Sequence, residues 1–389
     1  MPLEIQERYN FGVVWHDHRY PLRVGTTLFW FPRDPAEPTI WFDTASVTGG
    51  TIATGFPFGG AILGPDGYIW GTPWGDNRVV RINPASKTFT VQDIANPFDL
   101  STPLGGRVGR WGVASHNGAN RIVARWIGDR ELPTPQVASR IWLHIDTSDL
   151  SAVMFHPPPY NNSQLVSDTI YVPHNNTIYG VPKYQDSGKW IYVYPLVSPY
   201  NLLTDPVSII TIPGVGARYG SQMWLGQDGT TIYFARHSVL NFSKIDTMTN
   251  TFTLYGHTPW VHLGGGVHVG VSTVSTSPAV RFDESTETFT TLSTLPRHRP
   301  GGVLGGNGRA YWGRDGYNNV TEYDPATDLF SPIYRQSGSD MLYFDEPVNV
   351  GGNVYFLEQN PPGKPTRVAW LNVAQSGASG IYMDGAVHL

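Results

Sequence analysis

The chain of 389 residues contains no cysteine. That absence excludes disulfide bridges, thiolate metal sites and a cysteine nucleophile. Charge is scarce as well. Asp, Glu, Lys and Arg make up 15% of the sequence, where about a quarter is usual for globular proteins. The net charge is −5, so no global basic field exists to attract nucleic acid, and no such partner is expected. Long apolar runs are missing too. No stretch approaches the roughly 18 residues of a membrane helix, and membrane insertion is not expected. The opening residues, Met1 to Arg8, carry neither a basic start nor an apolar run, and a signal peptide is not expected.

What the sequence does hold is apolar and turn-forming residues. Apolar residues make up 40% and aromatic residues 13%, alongside 43 Gly and 32 Pro. The apolar share is enough for a buried interior, and the low charge with many aromatics argues against disorder. Many Gly and Pro with few strong helix formers mean short strands joined by many turns.

A two-part pattern recurs along the chain. Its first half is a tight turn running into an aromatic or aliphatic strand. Gly64-Pro65-Asp66-Gly67 leads to Tyr68-Ile69-Trp70, Gly226-Gln227-Asp228-Gly229 to Ile232-Tyr233-Phe234, and Gly305-Gly306-Asn307-Gly308 to Ala310-Tyr311-Trp312. Looser copies precede Leu28-Phe29-Trp30, Ile122-Val123, Ile178-Tyr179, Val267-His268-Val269 and Val354-Tyr355-Phe356. Asp-Gly and Asn-Gly predict two-residue hairpins, whose turn residues need positive φ. The second half is a strand ending in Asp or Asn, a polar turn, and another short strand. Full copies centre on Asn83, Asp246, Asp283 and Asp324, and partial ones on Asp43, Asp146 and Asn372. The carboxylate or amide is expected to bond backbone amides two residues on, with Pro84 and Pro325 fixing the next φ. One copy is missing and falls near Tyr192-Val193-Tyr194-Pro195.

A period of roughly 40–50 residues carrying four short strands is that of a propeller blade. The expected fold is an all-β propeller of four-stranded antiparallel blades. The count is eight, with seven as the alternative if the first and last units share a blade. Residues 1–389 are expected to form one domain, its ring closed by pairing of the N- and C-terminal segments. A β-sandwich or β-solenoid fits less well, because sandwiches rarely repeat one turn motif and solenoid coils are usually shorter than about 30 residues. The turn chemistry resembles the repeats of NHL, kelch and virginiamycin B lyase-like propellers across nearly the whole chain. That resemblance is specific for fold and says little about function.

In such a blade the loops opposite the repeated turns are the variable ones, and binding residues favour them. Those loops hold Arg107, Arg110, Trp111, Arg218, Tyr219, Trp224, His257, Trp260, His262, Arg297, His298 and Arg299, with Trp74, Asp76, Asn77, Trp126, Asp129, Arg130, Tyr184, His237, Asp315, Tyr317 and Asn318 on a second set. The candidate ligand-binding residues are Arg110, Trp111, Arg218, Tyr219, Trp260, His262, Arg297 and His298. Arg binds carboxylates or sulfates through paired donors, and Trp or Tyr faces stack on sugar rings. Any one of them also serves as an ordinary packing residue between blades. No metal site is expected: His16-Asp17-His18 offers two ligands and reads as a surface strand. Asp66-Gly67 and Asp228-Gly229 lack the acidic ladder of a calcium loop. Gly301-Gly302 and Gly305-Gly306 lack the Lys-Ser/Thr partner of a phosphate loop. No cofactor is expected.

Two functions follow. The first is a non-enzymatic binding or assembly module. Absent cysteine, low charge and abundant Thr, Asn, Gly and aromatics resemble bacteriophage tail and surface-attachment proteins. That resemblance implies a virion component recognising a host-surface glycan or a partner protein, located on the virion and otherwise cytoplasmic. The second is a polysaccharide lyase acting on uronates by β-elimination. There a cation such as Arg218, Arg110 or Arg297 would neutralise the carboxylate, while His262 or His298 with Tyr219 would move protons. The binding module is the preferred reading.

Overall fold

The computed structural model describes residues 6–12, 18–74, 76, 78–94, 115–116, 120–125, 142–155, 166–182, 190–195, 208–211, 222–235, 242–255, 261–270, 277–295, 298–314, 319–334, 343–344, 347–359 and 365–373. Apart from a three-residue 3-10 turn at Pro173–Asn175, the regular structure in these residues is β. The strands form eight antiparallel sheets among the described residues. Sheet 1 comprises His18–Val24, Thr27–Pro32, Thr39–Asp43 and Thr48–Ile52. Sheet 2 comprises Phe58–Leu63, Ile69–Pro73, Arg78–Ile82 and Phe89–Asp93. Sheets 3 to 6 lie within residues 115–155, 166–211, 222–255 and 261–295. Sheet 7 comprises His298–Leu304, Ala310–Arg314, Asn319–Asp324 and Leu329–Tyr334. In all seven the four strands pair in chain order. Sheet 8 joins both ends of the described chain: Gln6–Asn10 runs antiparallel to Arg367–Leu371, with a register shift between Glu7 and Tyr9.

Chain contacts fall into two compact units. One is Met1–Pro32, Glu37–Ala53 and Gly256–Val387, and holds sheets 1, 6, 7 and 8. The other is Arg33–Ala36, Thr54–Tyr255 and His388–Leu389, and holds sheets 2 to 5. Within each unit, neighbouring sheets pack face to face. In the second unit Trp70 and Val79 of sheet 2 share a core with Leu143 and Ile145 of sheet 3. In the first unit Leu28 and Phe42 of sheet 1 pack with Leu357 and Val368 of sheet 8.

Burial follows strand order. In sheet 2 the second strand is buried at all positions, whereas the fourth is mostly exposed, including Phe89 and Val91. A strand covered on both faces must be apolar on both faces, which is why Ile69-Trp70-Gly71 shows no alternation. Gly71 sits where space runs out: a Cβ there would lie 2.3 Å from the Phe58 ring.

The first turn of the repeat differs from the two-residue hairpin expected of Asp-Gly. The Gly64 amide donates to the Tyr68 carbonyl (2.7 Å) and the Gly67 amide to the Gly64 carbonyl (3.0 Å), and positive φ falls on Gly67 but not on Asp66. That is a longer loop built on a tight turn followed by one left-handed residue. The copy at Gly305–Gly308 bonds the same way, and at Gly226–Gly229 the outer bond closes one residue later, onto the Thr231 carbonyl (2.7 Å). Their leading glycines serve a separate purpose. A Cβ at Gly64, Gly226 or Gly305 would approach the ring of Trp70, Tyr233 or Tyr311 within 2.6 to 2.9 Å. The glycine makes room for the aromatic side chain of the following strand.

The second turn forms as its residues dictate. Asp43, Asn83, Asp146, Asp246, Asp283 and Asp324 each accept the amide two residues on, at 2.8 to 3.0 Å. Each of these turns also places a non-glycine residue at positive φ: Val47, Lys87, Leu150, Asn250, Glu287 and Asp328. The connection that would carry the missing copy after Tyr194-Pro195 lies outside the described residues.

Candidate functional site

Successive turns of an antiparallel meander alternate between the two ends of the sheet. The repeated turns therefore share one end, and the connection between second and third strands lies at the other. Sheet 2 shows how differently the two ends are built.

At the turn end, Asp66 is surrounded by donors. It accepts from the Trp70 indole N–H (3.1 Å), the Tyr68 amide (3.2 Å), and Arg81 Nε (3.1 Å) and Nη2 (3.0 Å). The Arg81 guanidinium also lies 3.5 Å from the Tyr68 ring centroid. Trp70 is 1% exposed. Acid, base and ring bond one another around a buried indole, and Arg81 is 22% exposed.

The loop end holds the same kinds of group in a more open arrangement. Arg33, which follows sheet 1's second strand but belongs to the second unit, places its guanidinium 4.3 Å from the Trp74 ring centroid. The Trp74 amide donates to the Pro57 carbonyl (2.8 Å), which fixes the backbone beneath the ring. Asp76 and Arg78 form a two-pronged pair: Nε donates to Oδ1 (2.9 Å), Nη2 donates to Oδ2 (2.5 Å), and the Arg78 amide adds a third bond (3.0 Å). Hydrogen bonds from Arg78 to Asp76 raise the guanidinium pKa against the opposing effect of burial, so the arginine stays charged. Trp74 and Arg33 are partly exposed and the Arg78 side chain is 42% exposed. An indole held by a cation, with a planar donor–acceptor pair on the same connection, is chemistry suited to a polar ligand with an apolar face.

Trp74 and Asp76 lie on the connection where the sequence places them. Arg33 and Arg78 complete the cluster and were not among the expected residues. Arg33 occupies in the first repeat the connection that Trp74 occupies in the second, so the repeat phasing was the signal that pointed to it. Arg110, Trp111, Arg218, Tyr219, Trp260 and Arg297 lie outside the described residues. So do Arg107, His257, Asn77, Trp126, Asp129, Arg130, Tyr184, His237, Asp315, Tyr317 and Asn318. His262 and His298 are described by their backbone: His262 lies within Val261–Gly264 opposite His268, and His298 opens its strand opposite Arg314. Arg299 lies in that same strand. Trp224, expected on a loop, sits inside Gln222–Leu225 and stacks on Phe242 at 5.6 Å, packing the sheet.

His18 departs from the surface strand expected of it. It is 1% exposed, with Nε2 2.7 Å from the Pro38 carbonyl and Nδ1 3.4 Å from Glu37. A carbonyl only accepts, so Nε2 carries a proton and ties the strand start to the connection ahead of Thr39. His16 and Asp17 lie outside the described residues. Among the described residues no group of three or more His, Asp or Glu is placed to hold a metal ion, and no helix is long and apolar enough to cross a membrane.

No family model matches the sequence, and no curated protein is significantly similar to it. Solved structures are. Virginiamycin B lyase from Staphylococcus aureus aligns with 81% of this chain and 94% of its own, at 13% identity and a TM-score of 0.53. The dihydro-heme d1 dehydrogenase NirN aligns with 96% of this chain and 79% of its own, at 10% identity and a TM-score of 0.61. An oligogalacturonate lyase in complex with manganese aligns over 96% and 97%, at 11% identity and a TM-score of 0.50. These likenesses, taken with the serial four-stranded sheets, decide the architecture. The fold is a β-propeller. At such identities the likeness carries the propeller fold alone, and the neighbours' chemistries already differ from one another.

Proposed function

We propose that this chain is a non-enzymatic propeller recognition module. In this reading residues 1–389 form one domain of eight blades, closed through the pairing of its terminal segments. It is carried on a bacteriophage particle and recognises a host-surface glycan or a partner protein. The observation that carries the reading is the contrast within sheet 2. At the turn end the Trp70 ring is buried and Arg81 is mostly covered, whereas the loop end keeps Trp74, Arg33 and, most of all, Arg78 partly exposed. Rigid scaffolds that vary their loops are suited to recognition. The virion assignment is supported by composition: no cysteine and few charges, with abundant aromatics and turn formers.

Retention of the full chain on host envelopes and on a glycan array tests the reading. Saturable binding to a defined glycan is the expected result. Incubation with uronate polysaccharides gives the opposing result if unsaturated products accumulate and His262→Ala and His298→Ala abolish them. Turnover of that kind would replace the binding module with a lyase.

A further inference from the structure

We infer that the cluster of Trp74, Arg33, Asp76 and Arg78 is a subsite for an uncharged, hydroxyl-rich sugar. The inference rests on the recognition reading above and narrows its ligand. Three features of the cluster point the same way.

The first is preorganisation. The indole is held by the Arg33 cation on its ring and by the backbone bond to Pro57 beneath it. A ring already fixed loses little side-chain freedom when a flat C–H face of a pyranose covers it. The second is the Asp76–Arg78 pair. Its carboxylate and guanidinium lie in one hydrogen-bonded fork, with Arg78 the more exposed partner at 42% against 17%. A fork of this kind sets an acceptor beside a donor, and vicinal hydroxyls both give and take hydrogen bonds.

The third is charge. Arg78 is paired with Asp76, and Asp93 lies across the strand pair from it, so two carboxylates accompany the Arg33 and Arg78 cations. Among the described residues the cluster has no surplus of positive charge. A uronate or sulfated sugar would meet carboxylates at close range, whereas a neutral sugar would not. The turn end of the same sheet supplies the contrast. Arg81, Asp66, Tyr68 and Trp70 are the same residue types, but Trp70 is buried and has no ring surface to offer.

The test is calorimetry on the full chain with two probe sets, neutral gluco- and galacto-oligosaccharides and oligogalacturonate, at low and high salt. A neutral oligosaccharide is expected to bind with an affinity unchanged by salt. Trp74→Ala is expected to weaken it about tenfold, while Trp74→Phe keeps most of the affinity. Asp76→Asn should weaken it several-fold, and Ser86→Ala, at the other end of the sheet, should leave it unchanged. Trp74→Phe and Asp76→Asn preserve shape and guard against a loss caused by misfolding. Salt-sensitive binding of oligogalacturonate without neutral binding would overturn the ligand class and leave the recognition reading standing. Neutral binding indifferent to Trp74 and Asp76 would overturn the location. Retention of a protein with no sugar of either class bound would overturn the inference and leave recognition of a partner protein. If neither sugars nor envelopes nor a protein is retained, the recognition reading itself falls.

Discussion

Sheets 2 and 7 solve one structural problem with opposite charges. In sheet 2 an acidic turn residue, Asp66, meets a basic strand residue, Arg81. In sheet 7 the turn supplies the base, Arg309, and the strand supplies the acid, Glu322, at 2.6 Å. The registers coincide: Trp70 lies opposite Arg81, and Tyr311 lies opposite Glu322. The aromatic ring takes part in both. Trp70 donates to Asp66, while the Tyr311 hydroxyl donates to Glu322 (2.9 Å) and accepts from Asn307 (2.8 Å). Burial, with the Glu322 charge adding to it, pushes the Tyr311 phenol well above its ordinary range, so it remains a donor. The repeat thus specifies a ring, a turn and a charge pair across the strands, but not which side carries which sign.

The comparison breaks most severely where the ring is removed. Trp70→Ala should cost roughly 3–5 kcal/mol, as expected for a buried large aromatic, seen as a lower denaturant midpoint without loss of β signal. Removing the bases separates the two sheets. Arg309→Met leaves Glu322, 8% exposed, with the hydrogen bond from the Tyr311 hydroxyl. It should cost about 1.5–3 kcal/mol, below a fully buried pair because Arg309 is itself partly in solvent. Arg81→Met leaves Asp66 with the Trp70 and Tyr68 donors, and should cost only about 1 kcal/mol. Adding Glu322→Gln to Arg309→Met should recover much of its loss. Equal costs for the two arginines would show that the reversal has no energetic consequence.

Acid sharpens the comparison at the second turns. Asp246 and Asp146 are pushed up by burial, but hydrogen bonds from amides and hydroxyls outweigh it and hold both below the ordinary carboxylate value of 3.8. Asp283 is lowered chiefly by the Ser285 hydroxyl and amide. A depressed folded pKa gives stability that is present above 3.8 and lost as pH falls through the lower folded values. Sheet 2 carries Asn83 at this position, whose side-chain oxygen makes the same bonds without titrating. Asp246→Asn should therefore be nearly neutral at pH 7 and should flatten the acid limb of a stability–pH curve. The smallest effect concerns Val47, a β-branched residue at φ 56°. Val47→Asn should stabilise by about 0.5–1 kcal/mol, read from the thermal midpoint. The same gain is not expected of Asn250→Gly, since Asn already tolerates that conformation.

Much of this was legible in the sequence because the governing contacts are short-range. An Asp bonding the amide two residues on needs no partner from elsewhere, so all six second turns could be read from their residues. The first turn misled at one point. Asp-Gly is a strong hairpin signal, but it does not reveal that the preceding glycine yields its space to a ring. That requirement comes from Trp70 folding back over Gly64, and the same holds at Gly226 and Gly305. The loop cluster was half legible. Trp74 and Asp76 stand on an evident connection, but Arg33 reaches Trp74 from the preceding repeat, and nothing local marks that meeting.

By itself the sequence determined that this chain is all-β and which residues cap the repeated turns, because those outcomes depend on neighbours a few bonds away. Tertiary structure decided which tryptophan is core and which stays partly exposed. Trp70 and Trp74 are four residues apart in similar surroundings of Asp and Arg. One is covered because a neighbouring sheet packs on it, and the other stays partly open because it stands beyond the last strand pair, where burial is set by what the chain brings back from a distance.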